Sequence, residues 1–276
     1  MPWSKPDALV VVDPEADRRY AALIAERGLD PDGAFEGRYA EWEWNHGRHM
    51  FDSLVEPAEG KTVLEFGCHY GGTAVVLAAL GAKVTAIDPD AACFDVARVN
   101  AARYGVEADI QFLHVPDTRR MPFESASFDW VSCNGVLDYV PRELLADVQA
   151  EIGRVLKPGG LLFAAGTSNR LWPREVHTRR WLVNYLPRAL DGLLPGPPPR
   201  RGVSPAQLLR GFGDFDDLTA ADGGRLYVEM KTRTGLAGPA LAALSLGGRC
   251  LDWVGLSPGM LAPSTLFILR KRTSKP

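Results

Sequence analysis

Five short apolar runs punctuate the middle of the chain: TVLEF (62–66), KVTAI (83–87), IQFLHV (110–115), FDWVSCN (128–134) and GLLFAAG (160–166). Each ends in, or within two residues of, Gly, Asp or Asn. Between and after them lie Ala-, Leu- and Arg-containing stretches with helical spacing, at 72–80, 90–104, 141–156 and, more weakly, 204–212. Near-continuous apolar strands alternating with amphipathic helices predict a mainly parallel sheet with helices on both faces. Ahead of it, a helix-like stretch from Gly37 to Val55 places Tyr39, Trp42, His46 and His49 on one face, with Trp44 and Arg48 on another. The run LTAA (218–221) predicts a short strand, and STLFILRKR (264–272) a closing one.

Two blocks break the alternation. Residues 169–200 carry Trp172, His177, Trp181 and Tyr185, then the PGPPP run (195–199) and Arg200-Arg201; residues 232–262 are apolar and glycine-rich. Stretches of that length without regular elements are usually lids, so both are expected to form a mostly helical cap. The expected organisation is an N-terminal helical covering segment (1–58), a core (59–168), a cap insertion (169–200), a core continuation (201–224), a second cap insertion (225–262), and a closing strand and tail (263–276).

Composition narrows the function. The 276 residues are 46% hydrophobic and 24% charged, with a formal net charge of -3. That is a globular balance with no electrostatic drive toward a phosphate backbone, so nucleic acid is not the expected partner. Cys68, Cys93, Cys133 and Cys250 have no CxxC or CxxH spacing and read as reduced thiols. No apolar stretch suits a signal peptide or a bilayer span, so a soluble cytoplasmic protein without membrane insertion is expected. A homodimer stays open as an assembly.

The stretch VLEFGCHYGGTAVVLAALGAKVTAIDPD (63–90) carries the candidate chemistry. A strand ends near Glu65, the turn Gly67-Cys68-His69-Tyr70-Gly71-Gly72 enters a helix, and a second strand ends in Asp88. A glycine turn lets backbone approach a ligand, and the distal acid accepts from ribose hydroxyls. Dinucleotide-binding units share this pattern. Glu65, however, would repel a pyrophosphate and favour the cationic amino group of a methionine moiety.

With VLEFGCHYGG, AIDPD, PDTRRMPFESASFDWVSCNGVLDYV (116–140) and EIGRVLKPGGLLF (151–163), the chain resembles the class I S-adenosylmethionine-dependent methyltransferases of the small-molecule group, over about 60–168 and 264–272. The resemblance implies a Rossmann-like α/β fold, seven strands with the last antiparallel, and S-adenosyl-L-methionine as cofactor. It implies that Glu65 and the Gly67 backbone hold the methionine end, within the turn containing Cys68, His69 and Gly71. It also implies that Asp88 grips the ribose, that Pro89 and Cys93 flank the adenine, and that Asp117, beside Thr118, accepts from the adenine amino group. Asn134 would line the methyl-donor side. His69 stands where the family has glycine, which keeps open a catalytically inactive partner subunit. Glu65 and Lys157-Pro158-Gly159-Gly160 speak against a nicotinamide-dependent dehydrogenase.

Transfer to a hydroxyl requires a proton acceptor. The candidates are Asp138, His69 and His177, with His46 and His49 better read as helix packing; no metal constellation is present. Asp138 has a second reading, as the cap of the helix starting near Pro141. The expected reaction is O-methylation of a small-molecule acceptor: a secondary metabolite, quinone, sugar or lipid-like compound. Residues 134–137 read Asn-Gly-Val-Leu, not the Asn/Asp-Pro-Pro-aromatic motif of many N-methylating relatives.

Overall fold

Pro14 opens the first helix, α1 (Pro14–Glu26), behind Asp13, whose side chain accepts from the backbone N–H groups of Glu15 and Ala16. In the computed structural model, which describes residues 6–52, 55–253 and 255–273, the chain forms two compact units, 1–132 and 133–276. Residues 53–54, inside the predicted helix Gly37–Val55, lie outside the described residues. So do residues 1–5 of the N-terminal segment, 254 of the second cap block and 274–276 of the tail.

In the first unit α2 (Tyr39–His46) is followed by a 3-10 turn, Gly47–Met50. The predicted long helix is thus a short one that tightens at Gly47, where a Cβ would overlap the Glu43 carboxyl. Then come β1 (Thr62–Phe66), α3 (Gly72–Ala79), β2 (Lys83–Asp88), α4 (Phe94–Arg103), β3 (Ile110–His114) and β4 (Phe128–Asn134). β1 pairs in parallel with β2 and with β4, and β2 with β3. Val63, Leu64, Val84, Ala86, Ile87 and Val131 are fully or almost fully buried, as strands covered on two faces require.

Ala16, Tyr20 and Ile24, spaced four apart on α1, pack on Val96 and Val99 of α4. Burying Ile24 alone stabilises by roughly 1.5–3 kcal/mol. Arg103, 1% exposed, joins the N-terminal helices to the core: it reaches Asp17 of α1 at 2.8 Å and Glu41 of α2 at 3.1 Å, and lies over the Tyr20 ring.

The second unit holds α5 (Leu145–Val155), β5 (Leu156–Ser168), α6 (Pro205–Gly211), β6 (Phe215–Asp217), α7 (Ala221–Arg233), α8 (Gly238–Asp252) and β7 (Ser264–Lys271). β5 leaves α5 directly through Lys157-Pro158-Gly159-Gly160. Lys271 of β7 donates to the carbonyls of Gly153 and Leu156 at 2.6 and 2.8 Å, satisfying that helix end. β7 is antiparallel to both β5 and β6. The strand order is β3-β2-β1-β4-β5-β7-β6, the Rossmann-like seven-stranded sheet with an antiparallel last strand.

Two expectations are corrected. LTAA (218–221) is not a strand; β6 lies just before it, because the Thr219 N–H and hydroxyl both donate to Asp217 and turn the chain. The block 232–262 is not irregular throughout: α8 fills its middle, Gly238–Asp252, in keeping with a helical segment there. Its Gly248 is a close-packing residue, where a Cβ would overlap the Gly223 carbonyl of α7. Residues 169–200 lack α-helix and strand and contain two 3-10 turns, Val183–Tyr185 and Arg188–Leu193. Among the described residues no helix is long and apolar enough to cross a membrane.

Candidate active site

The turn after β1 is built by positive φ at Gly67 (77°), His69 (45°) and Gly71 (74°). Gly71 has little alternative, because a Cβ there would lie 3.3 Å from both Ala97 and Phe112. His69 takes a left-handed conformation that disfavours an L-residue. Its N–H donates to Asp88 Oδ2 at 2.9 Å, and its ring lies 3.8 Å, centroid to centroid, from that of Tyr70. Crowding by the surrounding protein lowers the imidazole pKa, against the pull of Asp88 and Asp90. The Gly67 and Cys68 N–H groups both donate to the Ile87 carbonyl at 2.9 Å, binding the turn to the end of β2.

Glu65 is 1% exposed, and its Oε2 has no hydrogen-bond partner among the described residues. Burial pushes its pKa well above the usual carboxylate range; the Ser132 hydroxyl opposes the shift and the nearby Glu43 carboxylate adds to it. Glu43, on α2, is equally buried. Tyr39 packs over the start of α3, where a Cβ on Gly72 would overlap its ring; burial first, then Glu43, push its hydroxyl pKa up. An orphaned carboxylate oxygen with a second acid close by suits a cationic amino group, which would ionise and satisfy it. The donor set therefore fits the methionine end of S-adenosylmethionine.

At the other end of the turn, Asp88 is 8% exposed and accepts from the N–H groups of His69 and Asp90, each at 2.9 Å, with lone pairs left for ribose hydroxyls. Pro89 bonds His114 through its carbonyl at 3.0 Å. The Cys93 thiol donates to the Asp90 carbonyl at 3.0 Å and meets Cys68, whose own thiol pKa is raised by Cys93 and by burial. Asp117 is exposed and paired through both oxygens with Arg119, which holds its carboxyl below the usual range; Thr118 beside it is half-buried.

In the second unit, Asn134 ends β4. The Gly135 N–H that follows donates to Ala165 at 2.8 Å, and Gly166 leaves room for this turn against β5. Asp138 and His177, far apart in sequence, meet at 3.0 Å between Oδ2 and Nε2. The Ser168 hydroxyl completes the cluster, 2.7 Å from the same Oδ2 and 3.0 Å from Nε2. The Asp138 side chain is 1% exposed and its Oδ1 has no partner among the described residues. The Asp138 carboxylate does not cap α5, whose N-cap, Leu144, makes no side-chain bond. Glu175 braces the loop, accepting from the His177 and Thr178 N–H groups at 3.2 and 2.6 Å. Burial alone would raise the Glu175 pKa, but the Thr178 hydroxyl and these N–H groups hold it below the usual range.

Glu43 and Ser168 escaped sequence reasoning. Glu43 lies four residues after Tyr39 on an aromatic helix, a signal for a buried acid; a serine at a strand end gives none. His46 is exposed and stacks only on Trp42 of its own helix, with centroids 4.9 Å apart.

Residues 63–160 match the family model described as a methyltransferase domain. The ubiquinone biosynthesis O-methyltransferase of Idiomarina loihiensis is 33% identical over 72% of this chain and 77% of its own length. The chain belongs to the class I S-adenosylmethionine-dependent methyltransferases. A second relative of the same description, from Thiobacillus denitrificans, is 33% identical over 68% of the chain and 76% of its own length. The chain spans 61% and 64% of the relatives from Methylocella silvestris and Nitrosococcus oceani. Among solved structures, the 4+2-cyclase SpnF matches over 97% of this methyltransferase and 100% of its own chain, with TM-score 0.53 and 18% identity, a likeness of fold alone.

Proposed function

We propose that this methyltransferase methylates a hydroxyl oxygen of a small, phenol-like acceptor, with His177 taking the proton. The carrying observation is the Asp138–Ser168–His177 cluster. With its Nε2–H donating to Asp138, the His177 imidazole is held in one tautomer and Nδ1 presents its lone pair. Asp138 stabilises the imidazolium that forms, and Ser168 keeps the carboxylate oriented. The acceptor's O–H proton passes to Nδ1 as the oxygen becomes the nucleophile. The names of the relatives, ubiquinone biosynthesis O-methyltransferases, favour oxygen and a ring-borne hydroxyl.

S-adenosylmethionine, when bound, supplies an electrophilic methyl carbon on a cationic sulfur. In this reading Glu65 and the Gly67–Gly71 turn hold its amino-acid end and Asp88 its ribose. Pro89, Cys93, Asp117 and Thr118 surround the adenine, and Asn134 borders the methyl. Asp117 uses the lone pairs that Arg119 leaves free. The segments 1–58, 169–200 and 225–262 serve as covers. A cytoplasmic enzyme that binds no nucleic acid, alone or as a homodimer, completes the proposal.

The test is calorimetric titration of the cofactor, followed by methyl transfer to a panel of phenols by the wild type, Asp138→Asn and His177→Ala. Binding that all three proteins share, with turnover lost in the variants, is the expected result. No binding at tens of micromolar cofactor, or undiminished turnover in both variants, refutes it.

A further inference from the structure

Arg200 is exposed, yet its guanidinium carbon stands 3.9 Å from the centre of the Tyr139 ring. Tyr139 is the residue after Asp138, and its ring meets His177 edge-on at 5.8 Å. One cation is thus stacked one ring away from the proton-accepting cluster. Among the described residues it has no ion-pair or hydrogen-bond partner. Stacking on an aromatic face holds a guanidinium in place while leaving its edge N–H groups free to donate.

The chain on either side of Arg200 is tied down. Arg201, 1% exposed, donates through Nε to the Val183 carbonyl at 3.0 Å and pairs with Asp191. At Gly202 a Cβ would overlap the backbone of Ser168, the serine of the cluster, and the Val203 N–H donates to the Ser168 carbonyl at 2.9 Å. The two adjacent arginines therefore do different things. Arg201 fills a buried structural position, and Arg200 is the outward cation on a segment bolted to the cluster.

We propose that Arg200 is a specificity residue, and that the acceptor carries a carboxylate which its guanidinium binds through paired N–H donors. The proposal rests on reading the Asp138–Ser168–His177 cluster as the acceptor site. A planar fork of donors matches a carboxylate bidentately. One guanidinium balances one negative charge, which favours a carboxylate over a phosphate dianion beside Asp138. Asp138 itself is already engaged by Ser168 and His177.

The experiment is equilibrium binding to the enzyme saturated with S-adenosylhomocysteine. The probes are protocatechuate, its neutral primary amide and phenyl phosphate. The wild type is expected to bind the carboxylate at least about tenfold tighter than the amide, a preference that weakens with added salt. Arg200→Ala should abolish the preference and Arg200→Lys retain part of it, while cofactor affinity and thermal stability stay unchanged in both. His177→Ala should keep the preference, so that a wrong base assignment and a wrong Arg200 assignment give different results. Equal affinity for acid and amide, a preference that survives Arg200→Ala, tighter binding of the phosphate, or no binding of protocatechuate overturns the proposal.

Discussion

Glu65 and Ser132 face one another in register across β1 and β4, both buried, and neither Glu65 Oε2 nor Ser132 Oγ closes a hydrogen bond among the described residues. The hydroxyl acts on the carboxyl through its dipole and does not satisfy it. A carboxylate left in that condition gains most from a cation.

Cofactor affinity should therefore depend on pH. The Glu65 pKa is raised in the free enzyme, and the methionine ammonium favours the ionised form. Binding thus releases a proton, and affinity rises as pH climbs through the raised pKa, then levels. Glu65→Gln should remove this dependence and weaken binding by about 1.5–3 kcal/mol. Calorimetry in buffers of different ionisation heat measures the released proton; none would contradict the placement.

The same shift bears on the stability of the free enzyme. An acid whose folded pKa lies above its unfolded one contributes stability at low pH and loses it as pH rises through the folded value. Glu65→Gln should therefore raise the melting temperature of the cofactor-free enzyme at neutral pH while narrowing the shift on cofactor addition. Differential scanning calorimetry with and without cofactor decides it.

Asp88 serves the turn and, in the proposed site, the ribose. Asp88→Asn should weaken cofactor binding by about 1.5–3 kcal/mol through lost charge-assisted bonds. Affinity equal to wild type in a titration would place the ribose elsewhere.

His69 adopts a φ of 45° without being glycine. His69→Gly removes a left-handed strain of about 1–2 kcal/mol but adds chain entropy of about 0.5–1 kcal/mol to the unfolded state. Stability should change by no more than about 1.5 kcal/mol. Turnover should remain within about tenfold, whereas Asp138→Asn or His177→Ala should cost about 10²–10⁴. A collapse of turnover in His69→Gly with cofactor binding intact would move the base to the turn.

Arg103 is the pin of the N-terminal helices. Arg103→Met should cost about 2–4 kcal/mol, because Asp17 and Glu41 lose their buried partner while remaining partly solvated. Urea unfolding gives the value directly.

Much of this was legible in the chain because it depends on local order. β1 and β4 fall on the predicted residues, as period and turn chemistry fix a strand between its glycines and acids. The glycine turn, Glu65 and Asp88 were legible for the same reason: they sit within one β-α-β unit. Gly248 misled, since a residue that reads as helix-breaking in sequence is a close-packing one against the Gly223 carbonyl.

The sequence by itself determined the family, the sheet's parallel core and the glycine turn between β1 and α3, all consequences of residues within a few turns of one another. Only the tertiary structure decided which of several histidines meets an acid, that Ser168 joins them, that Glu43 is buried, and that Arg200 stands free where Arg201 does not. Those pairings join residues many positions apart, and no local pattern encodes the path that brings side chains of distant elements within hydrogen-bonding distance.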